Sequence, residues 1–228
     1  MQNGEQQEGG REAEKGGREV GGRGRILDAA IEKFAEGGVD GTSLKVIAEA
    51  AGVSPALIVH HFGSKQGLRS ACDRYAAARI REQKLEAMSQ GVQLDPLAAL
   101  RRSSRNRAIA RYLARTLSDG SPEVSALLDD LIEDALEYTE RGVETGVIKP
   151  SRHPRERVVI LVLWSMGLLM LHEQLERLLG VDLLGEPEQL GPYLLPVMEM
   201  YSEGVLAEGL YEQARRAFEE LDKEDEGA

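Results

Sequence analysis

The sequence predicts an all-α protein, in which a small N-terminal domain with a helix-turn-helix precedes a larger helical bundle. Helix-forming residues dominate the composition, and no alternating strand pattern of any length occurs. Helix start and stop signals also recur along the chain, as serine before proline and glycine after apolar runs. At 228 residues, the chain is long enough for one small and one medium domain.

Composition divides the chain into four parts. Residues 1–22 are rich in glycine and charged residues with almost no apolar side chains, so we expect a disordered tail there. Residues 23–70 are expected to form the helix-turn-helix domain, residues 71–222 the bundle, and residues 223–228 a polar tail. Arg23 and Arg25, beside the first helix, are candidates for a minor-groove contact, with a solvated chain end as the alternative.

The most informative segment is 42–65, which has two short helical patterns separated by a tight turn. The first helix of the pair is expected from about Ser43 to Ala51, with Thr42 and Ser43 as candidate N-caps. Gly52 follows at a position that favours a left-handed backbone. This arrangement is typical of a helix-turn-helix, which places its second helix in the DNA major groove.

The second helix of the pair is expected from about Pro55 to His61. Ser54 supplies the N-cap and Pro55 occupies the first turn, where its missing N–H is harmless. Helical periodicity turns Ile58 and Phe62 inward. The outward residues are small or apolar, with one imidazole: Ala56, Leu57 and His60. They can pack on thymine methyl groups, but they include no arginine or glutamine to contact a base through two hydrogen bonds.

Lys65 lies in the first turn of the following helix, after Gly63 and the N-cap candidate Ser64. A cation there opposes the helix dipole at a cost of a few tenths of a kcal/mol, and a phosphate docked on the N–H groups would reverse this cost. An ordinary surface lysine is the alternative.

Residues 23–69 resemble the DNA-binding domain of the TetR/AcrR family. The matching residues are Ile26 to Ala30, Phe34 to Gly38, Gly41 to Ser43, Ile47 and Ala48, Ala51 to Ser54, His60 to Phe62, Lys65 and Leu68. The resemblance implies a homodimer, a three-helix DNA-binding domain and a larger helical ligand-binding domain.

Residue roles follow from the resemblance by position. It implies that Lys45 contacts a base or phosphate and that His61 and Lys65 hold phosphates. Val59 stands where the family usually has tyrosine, which removes one expected phosphate contact. The candidate DNA-binding residues are Thr42, Ser43, Lys45, Ser54, Pro55, Ala56, Leu57, Val59, His60, His61 and Lys65.

Charge is unevenly distributed along the chain. Residues 23–70 carry six Lys or Arg against five Asp or Glu, whereas residues 71–228 carry nineteen against twenty-nine. The acidity of the C-terminal part favours solubility and keeps that part away from DNA. A near-neutral DNA-binding domain makes few phosphate contacts per subunit, so dimerisation matters more for affinity.

The cysteine content and the N-terminal segment indicate which covalent or metal sites to expect and in which compartment the protein works. Cys72 is the single cysteine, so neither a disulfide framework nor metal-ligand spacing is present, and a buried apolar role is favoured over a thiol sensor. The N-terminus lacks an apolar signal-peptide segment, so we expect a cytoplasmic protein that does not associate with membranes. We expect no metal and no cofactor.

In the C-terminal part we expect five helices, from Ser64 to Gln90, Asp95 to Ser118, Pro122 to about Gly142 or Thr145, Pro154 to Leu179, and Pro192 to Leu221. Residues 158–171 form the most apolar segment, which is too short to span a membrane and typical of a buried helix. The family resemblance implies a dimer interface on Leu194, Val197, Met198, Tyr201, Val205 and Leu206, with part of 155–179.

An effector cavity in the bundle needs apolar walls and a few polar groups. The candidate effector-binding residues are Tyr75, Tyr112, Trp164, Met166, Met170 and His172. Each of them is equally compatible with plain core packing. Six arginines on the second helix of this part favour salt bridges to acidic neighbours over an anion site: Arg101, Arg102, Arg105, Arg107, Arg111 and Arg115.

The function predicted is a ligand-responsive transcriptional regulator, in particular a repressor that binds a palindromic double-stranded DNA operator as a homodimer and is released by a small-molecule effector. A helical protein-binding module and a constitutive regulator without an effector are the alternatives. An enzyme is not expected, because the sequence has no nucleophile–base pair, phosphate-binding loop or metal-ligand set.

Overall fold

The computed structural model describes residues 5–103, 106–120 and 123–225, and its regular secondary structure over these residues is helical. The all-α prediction is therefore confirmed. The helices are α1 Glu5–Gly41, α2 Leu44–Ala51, α3 Pro55–Phe62, α4 Lys65–Ser89, α5 Pro96–Ser103, α6 Arg107–Ser118, α7 Glu123–Glu144, α8 Pro154–Met170, α9 His172–Leu179, α10 Gly191–Ser202 and α11 Leu210–Asp225. Short 3-10 turns lie at Gly91–Gln93 and Pro187–Gln189.

The first helix begins earlier than the composition suggests. The backbone is helical from Glu5, whereas a disordered tail is predicted over residues 1–22. Glu, Gln, Lys and Arg between the glycines are good helix formers, and the segment runs directly into the packed part of α1. Residues 1–4 lie outside the described part of the chain. Near its other end, α1 is kinked at Gly38, where φ is 71° and ψ is 167°.

Three serine caps define the helix-turn-helix as the sequence predicts. The side chains of Ser43, Ser54 and Ser64 each accept a hydrogen bond from the backbone N–H three residues later, at 3.3, 3.2 and 3.0 Å. Gly52 adopts the left-handed conformation, with φ of 66°. The predicted helices over 43–51, 55–61 and 64–90 are confirmed within about two residues.

Three predicted long helices are wrong in the same way, because each is broken in the structure. The helix expected over 95–118 is split into α5 and α6, next to Asn106, whose φ of −101° and ψ of 18° are not helical. The helix expected over 154–179 breaks at Leu171 and bends by 73°. The helix expected over 192–221 stops at Ser202 and restarts at Leu210, after Gly204 and Gly209 with positive φ.

The chain divides into two compact units, Met1–Pro187 and Glu188–Ala228. In the first unit, α1 packs on α2, α4 and α6, and α7 packs on α4 and α8. One hydrophobic core runs from the helix-turn-helix into the bundle, and includes Phe34, Ile47, Ile58, Tyr112 and Leu127. The N-terminal helices α1–α3, called the head below, therefore share their core with the bundle.

The second unit contains α10 and α11. Pro196 lies inside α10, as expected for a proline in the first turns of this helix. Many large apolar side chains of the second unit are exposed, among them Leu195, Met198, Tyr201, Val205 and Leu206. Among the described helices of the whole chain, none alone has the length and apolarity needed to cross a bilayer.

Candidate nucleic-acid interface

The outward face of α3 is the surface that a helix-turn-helix presents to DNA. Ile58 is fully buried and anchors the helix to the core, while Val59 is 46% exposed. Pro55, Ala56 and His60 are exposed as well, whereas Leu57 and His61 are half-buried. The predicted inward and outward faces of this helix are thus present, with Leu57 less accessible than its position suggests.

This face combines apolar contact area with two imidazoles. The rings of His60 and His61 are neighbours, with centroids 5.5 Å apart. Ala56 and Val59 can contact thymine methyl groups, and His60 can hydrogen-bond to a base edge. Because α3 contains no arginine or glutamine that could contact a base through two hydrogen bonds, DNA shape is expected to contribute to sequence preference.

Side chains outside α3 extend the candidate surface. Lys45 is exposed on α2, and the capping residues Ser43 and Ser54 are exposed at the helix N-termini. Each cap hydroxyl accepts a hydrogen bond from its own helix, so its proton remains available for a phosphate oxygen. These three residues lie where the sequence analysis expects them.

Thr42 is placed differently from the other candidates. Its side chain is buried, and Oγ1 lies 2.8 Å from the carbonyl oxygen of Gly38 and 3.0 Å from that of Lys33. The hydroxyl therefore holds the turn between α1 and α2 together, and does not point to the surface. The inclusion of Thr42 among DNA-facing side chains is corrected on this ground.

Lys65 occupies the predicted place in the first turn of α4. Its Nζ donates a hydrogen bond to the backbone carbonyl of Asp40 at 3.1 Å, which ties α4 to the end of α1. Arg23 of α1 lies near the last residue of α3, with its guanidinium 5.4 Å from the centre of the Phe62 ring. The structure thus brings two cations to the C-terminal end of α3, where phosphates would approach.

Gly67 is a site residue that sequence reasoning missed. A Cβ at this position would lie 2.1 Å from the carbonyl oxygen of Phe62. The backbone of α4 can approach the end of α3 this closely only without a side chain at residue 67. Glycine lowers the stability of a helix, so its presence in the first turn of α4 is the sequence signal for a close backbone contact there.

Comparisons with known proteins agree with this geometry. Residues 26–72 match the family model described as bacterial regulatory proteins, tetR family, and residues 105–207 match that of the tetracyclin repressor-like C-terminal domain. The HTH-type transcriptional regulatory protein RaaS of Mycobacterium tuberculosis is 39% identical over 190 residues, which are 82% of this chain and 89% of the relative. The chain belongs to the TetR family. It is therefore a TetR-family transcriptional regulator with a helix-turn-helix.

Other relatives match this TetR-family regulator over less sequence or by fold alone. The HTH-type transcriptional repressor AcnR of Corynebacterium glutamicum is 43% identical over 60 residues, 26% of this chain and 32% of the relative. The structure of Salmonella enterica GusR is similar with a TM-score of 0.51 at 21% identity, covering 79% of this chain and 94% of GusR. The family and its relatives are transcriptional regulators, not enzymes.

The six candidate effector residues are scattered through the first unit. Tyr75 donates a hydrogen bond from its hydroxyl to Asp28 at 2.9 Å, and Tyr112 is fully buried. Trp164 and Met170 are exposed, at 63% and 46%. Met166 and His172 are half-buried.

Two solvent-open cavities between helices are lined mainly by charged residues. One of about 130 Å³ lies between α4, α5 and α6, with Arg79, Glu82, Gln83, Glu86, Arg102 and Asn106 around it. One of about 290 Å³ lies between α4 and α7, with Arg74, Ala77, Ala78, Arg81, Asp130, Glu133 and Asp134 around it. None of the six candidates lines either cavity, so these two are not the apolar pocket that the sequence analysis expects.

Three of the arginines of α5 and α6 make salt bridges, of which Arg102–Glu86 joins two helices as predicted. Arg107 contacts Glu186 at 2.6 Å, Arg102 lies 3.8 Å from Glu86, and Arg115 lies 3.8 Å from Asp119. These three pairs support the structural interpretation of the basic run. Arg105 lies outside the described residues.

Proposed function

We propose that this protein is a homodimeric repressor that binds a palindromic operator and is released when a small molecule binds its helical bundle. The observation that carries the proposal is the exposed, serine-capped face of α3 on a head whose core continues into the bundle. A displacement in the bundle can therefore reach the DNA-contacting surface through packed side chains.

The dimer is supported by apolar side chains that a monomer would leave in water. In the first unit, α8 and α9 expose Trp164, Leu171 and Leu178 at 59–67%. In the second unit, Leu195, Val205 and Leu206 are 71–72% exposed. Exposed apolar residues in such number on two units are typical of surfaces that bury against a partner.

A dimer with two heads should select DNA of matching symmetry. Each head is expected to bind one half-site, with half-site centres roughly 34–36 Å apart, or one helical turn. Selection of bound sites from random duplexes tests this, and inverted repeats at that spacing are the expected result. Selected sites without inverted symmetry would contradict the dimeric mode of binding.

Release by an effector requires the effector to bind one conformation more tightly. A hundredfold loss of operator affinity corresponds to about 2.7 kcal/mol of coupling. By reciprocity, operator DNA must weaken effector binding by the same factor. Calorimetry on the DNA-free and DNA-bound protein measures this, and equal effector affinity in both forms would leave a constitutive regulator or a protein-binding module.

A further inference from the structure

Four polar side chains meet inside the first unit where α4, α6 and α7 come together. Tyr112 of α6 donates a hydrogen bond from its hydroxyl to Oδ1 of Asp73 on α4, at 2.5 Å. Nε of Arg69, one turn earlier on α4, lies 3.9 Å from Oδ2 of Asp73, and its Nη1 lies 3.8 Å from Oε2 of Glu123 at the start of α7. Arg69, Asp73 and Tyr112 are 5%, 7% and 0% exposed.

The head is held by the same side chains. The ring of Tyr112 packs near that of Phe34 on α1, with centroids 6.4 Å apart. Gln66, in the first turn of α4, donates a hydrogen bond to the carboxylate of Glu123. Tyr112 thus contacts α1 with its ring and α4 with its hydroxyl, and both of these helices position the recognition helix.

Stability alone is a poor explanation for this cluster. Burying charged groups carries a desolvation cost, and apolar side chains of similar volume are often equally or more stabilising. A buried polar group is instead sensitive to geometry, because its partners must lie at defined distances and angles. A cluster of this kind favours one relative placement of the helices that contribute to it.

We propose that Asp73 and Tyr112 are positioning residues, whose buried hydrogen bond and contact with Phe34 hold the head in one orientation against α6. This inference rests on the proposed function, since the orientation of the head then sets operator affinity. It also gives Tyr112 a role other than the effector contact that the sequence analysis suggests. In this role the tyrosine need not touch the effector.

The chain contains a reporter of this junction. Cys72, the single cysteine, is fully buried and adjacent to Asp73. Burial raises the pKa of its thiol far above the ordinary range, with further contributions from the neighbouring carboxylates of Asp73 and Asp28. Alkylation of Cys72 in the native protein therefore requires local opening of the contacts around α4.

The first test compares two tyrosine-to-phenylalanine variants of the full-length protein by the rate of Cys72 alkylation with iodoacetamide. Tyr112→Phe removes the hydroxyl that Asp73 accepts from. Tyr138→Phe removes a half-buried hydroxyl on α7 that makes no hydrogen bond to the described residues, and serves as the control. Urea is added so that both variants have equal global stability. We expect Cys72 to be alkylated about tenfold faster in Tyr112→Phe than in Tyr138→Phe, which corresponds to a local opening that is easier by about 1.4 kcal/mol. Equal rates would overturn the proposal.

The second test asks whether a neutral acceptor rescues the contact. Asp73→Asn keeps an oxygen that can accept from the Tyr112 hydroxyl, whereas Asp73→Leu removes both acceptors. We expect Asp73→Asn to alkylate at close to the wild-type rate and Asp73→Leu to resemble Tyr112→Phe. If Asp73→Asn alkylates as fast as Asp73→Leu, the hydrogen bond is not the positioning element.

The third test measures binding to a duplex obtained by selection from random sequences. Tyr112→Phe should bind it about tenfold more weakly than wild type, and Tyr138→Phe should bind with wild-type affinity. Faster alkylation with unchanged DNA affinity would show that the junction does not position the head. If the wild type selects no duplex, the proposed function fails, while the alkylation rates still decide whether Asp73 and Tyr112 hold the junction closed.

Discussion

At the scale of single residues, the carboxylate of Asp73 links stability to pH. Burial raises its pKa, and this outweighs the opposing effects of the Tyr112 hydrogen bond and the Arg69 charge. The native state therefore takes up the proton at a higher pH than the unfolded chain does. The charged form is unfavourable in the fold, so stability is lower at neutral pH and rises as the pH falls through the native pKa.

A neutral side chain at this position should remove that dependence. We expect Asp73→Asn to raise the melting temperature relative to wild type at neutral pH. The difference should vanish at a pH about one unit below the ordinary aspartate pKa of about 3.9, where the carboxyl is protonated in both states. Calorimetric melting of both proteins over this range is the measurement. A lower melting temperature of the variant at neutral pH would mean that the charge stabilises the fold.

Two further residues separate general affinity from sequence preference. Lys65→Ala should weaken binding to all duplexes about equally and make the slope of log affinity against log salt shallower by about one, because one phosphate contact is lost. His60→Ala should instead change the selected sequence, since His60 lies on the outward face of α3. Equal loss of sequence preference in both variants would show that these roles are wrongly assigned.

Residue positions were predictable wherever the determining contacts are local. Ser54 and Gly52 are readable because a cap or a left-handed turn depends on residues within one helical turn. The hydrogen-bond partner of Lys65 was not predictable, because the carbonyl of Asp40 lies 25 residues away in the chain. The burial of Thr42 and the contacts of Tyr112 likewise depend on helices that are distant in sequence.

At the scale of the elements, the separation of α3 from α4 is set by Gly67. Gly67→Ala would bring its Cβ against the Phe62 carbonyl, a backbone atom that can move only with α3. We expect reduced operator affinity together with a lower melting temperature. Gly24→Ala, in a helical position of α1 with no atom within 4 Å of the new Cβ, is the control and should be neutral or stabilising. Unchanged operator affinity in Gly67→Ala would show that the close approach is not needed for DNA binding.

The long helices show where local signals end. Ser103 and Asn106 are weak residues for a helix interior, and Gly204 and Gly209 favour a turn, so two of the three breaks had a signal in the sequence. The break at Leu171 had a weaker signal, since the nearest glycine, Gly167, lies one turn before it and its carbonyl accepts the hydrogen bond of the Leu171 N–H. Leucine is a good helix former, so the residue at the break does not itself explain the bend.

At the scale of the whole molecule, dimerisation is expected to control DNA binding. Trp164→Glu should place a charge in the proposed partner-facing surface of α8 and convert the dimer to monomer, with a large loss of operator affinity. Val92→Glu also replaces an exposed apolar side chain with a charged one and serves as the control. Val92 is 84% exposed in a 3-10 turn, and this variant should remain a dimer. Sedimentation velocity distinguishes the two. A monomeric Val92→Glu or a dimeric Trp164→Glu would place the interface elsewhere.

The near-neutral charge of residues 23–70 also affects how the protein searches a genome. A genome offers about 10⁶–10⁹ competing sites, and binding to them depends almost entirely on phosphate contacts. With six Lys or Arg against five Asp or Glu in this part of the chain, we expect arbitrary sequence to bind each subunit weakly. A larger fraction of the molecules then remains unbound and available to the operator. Few copies per cell would then suffice to occupy the operator.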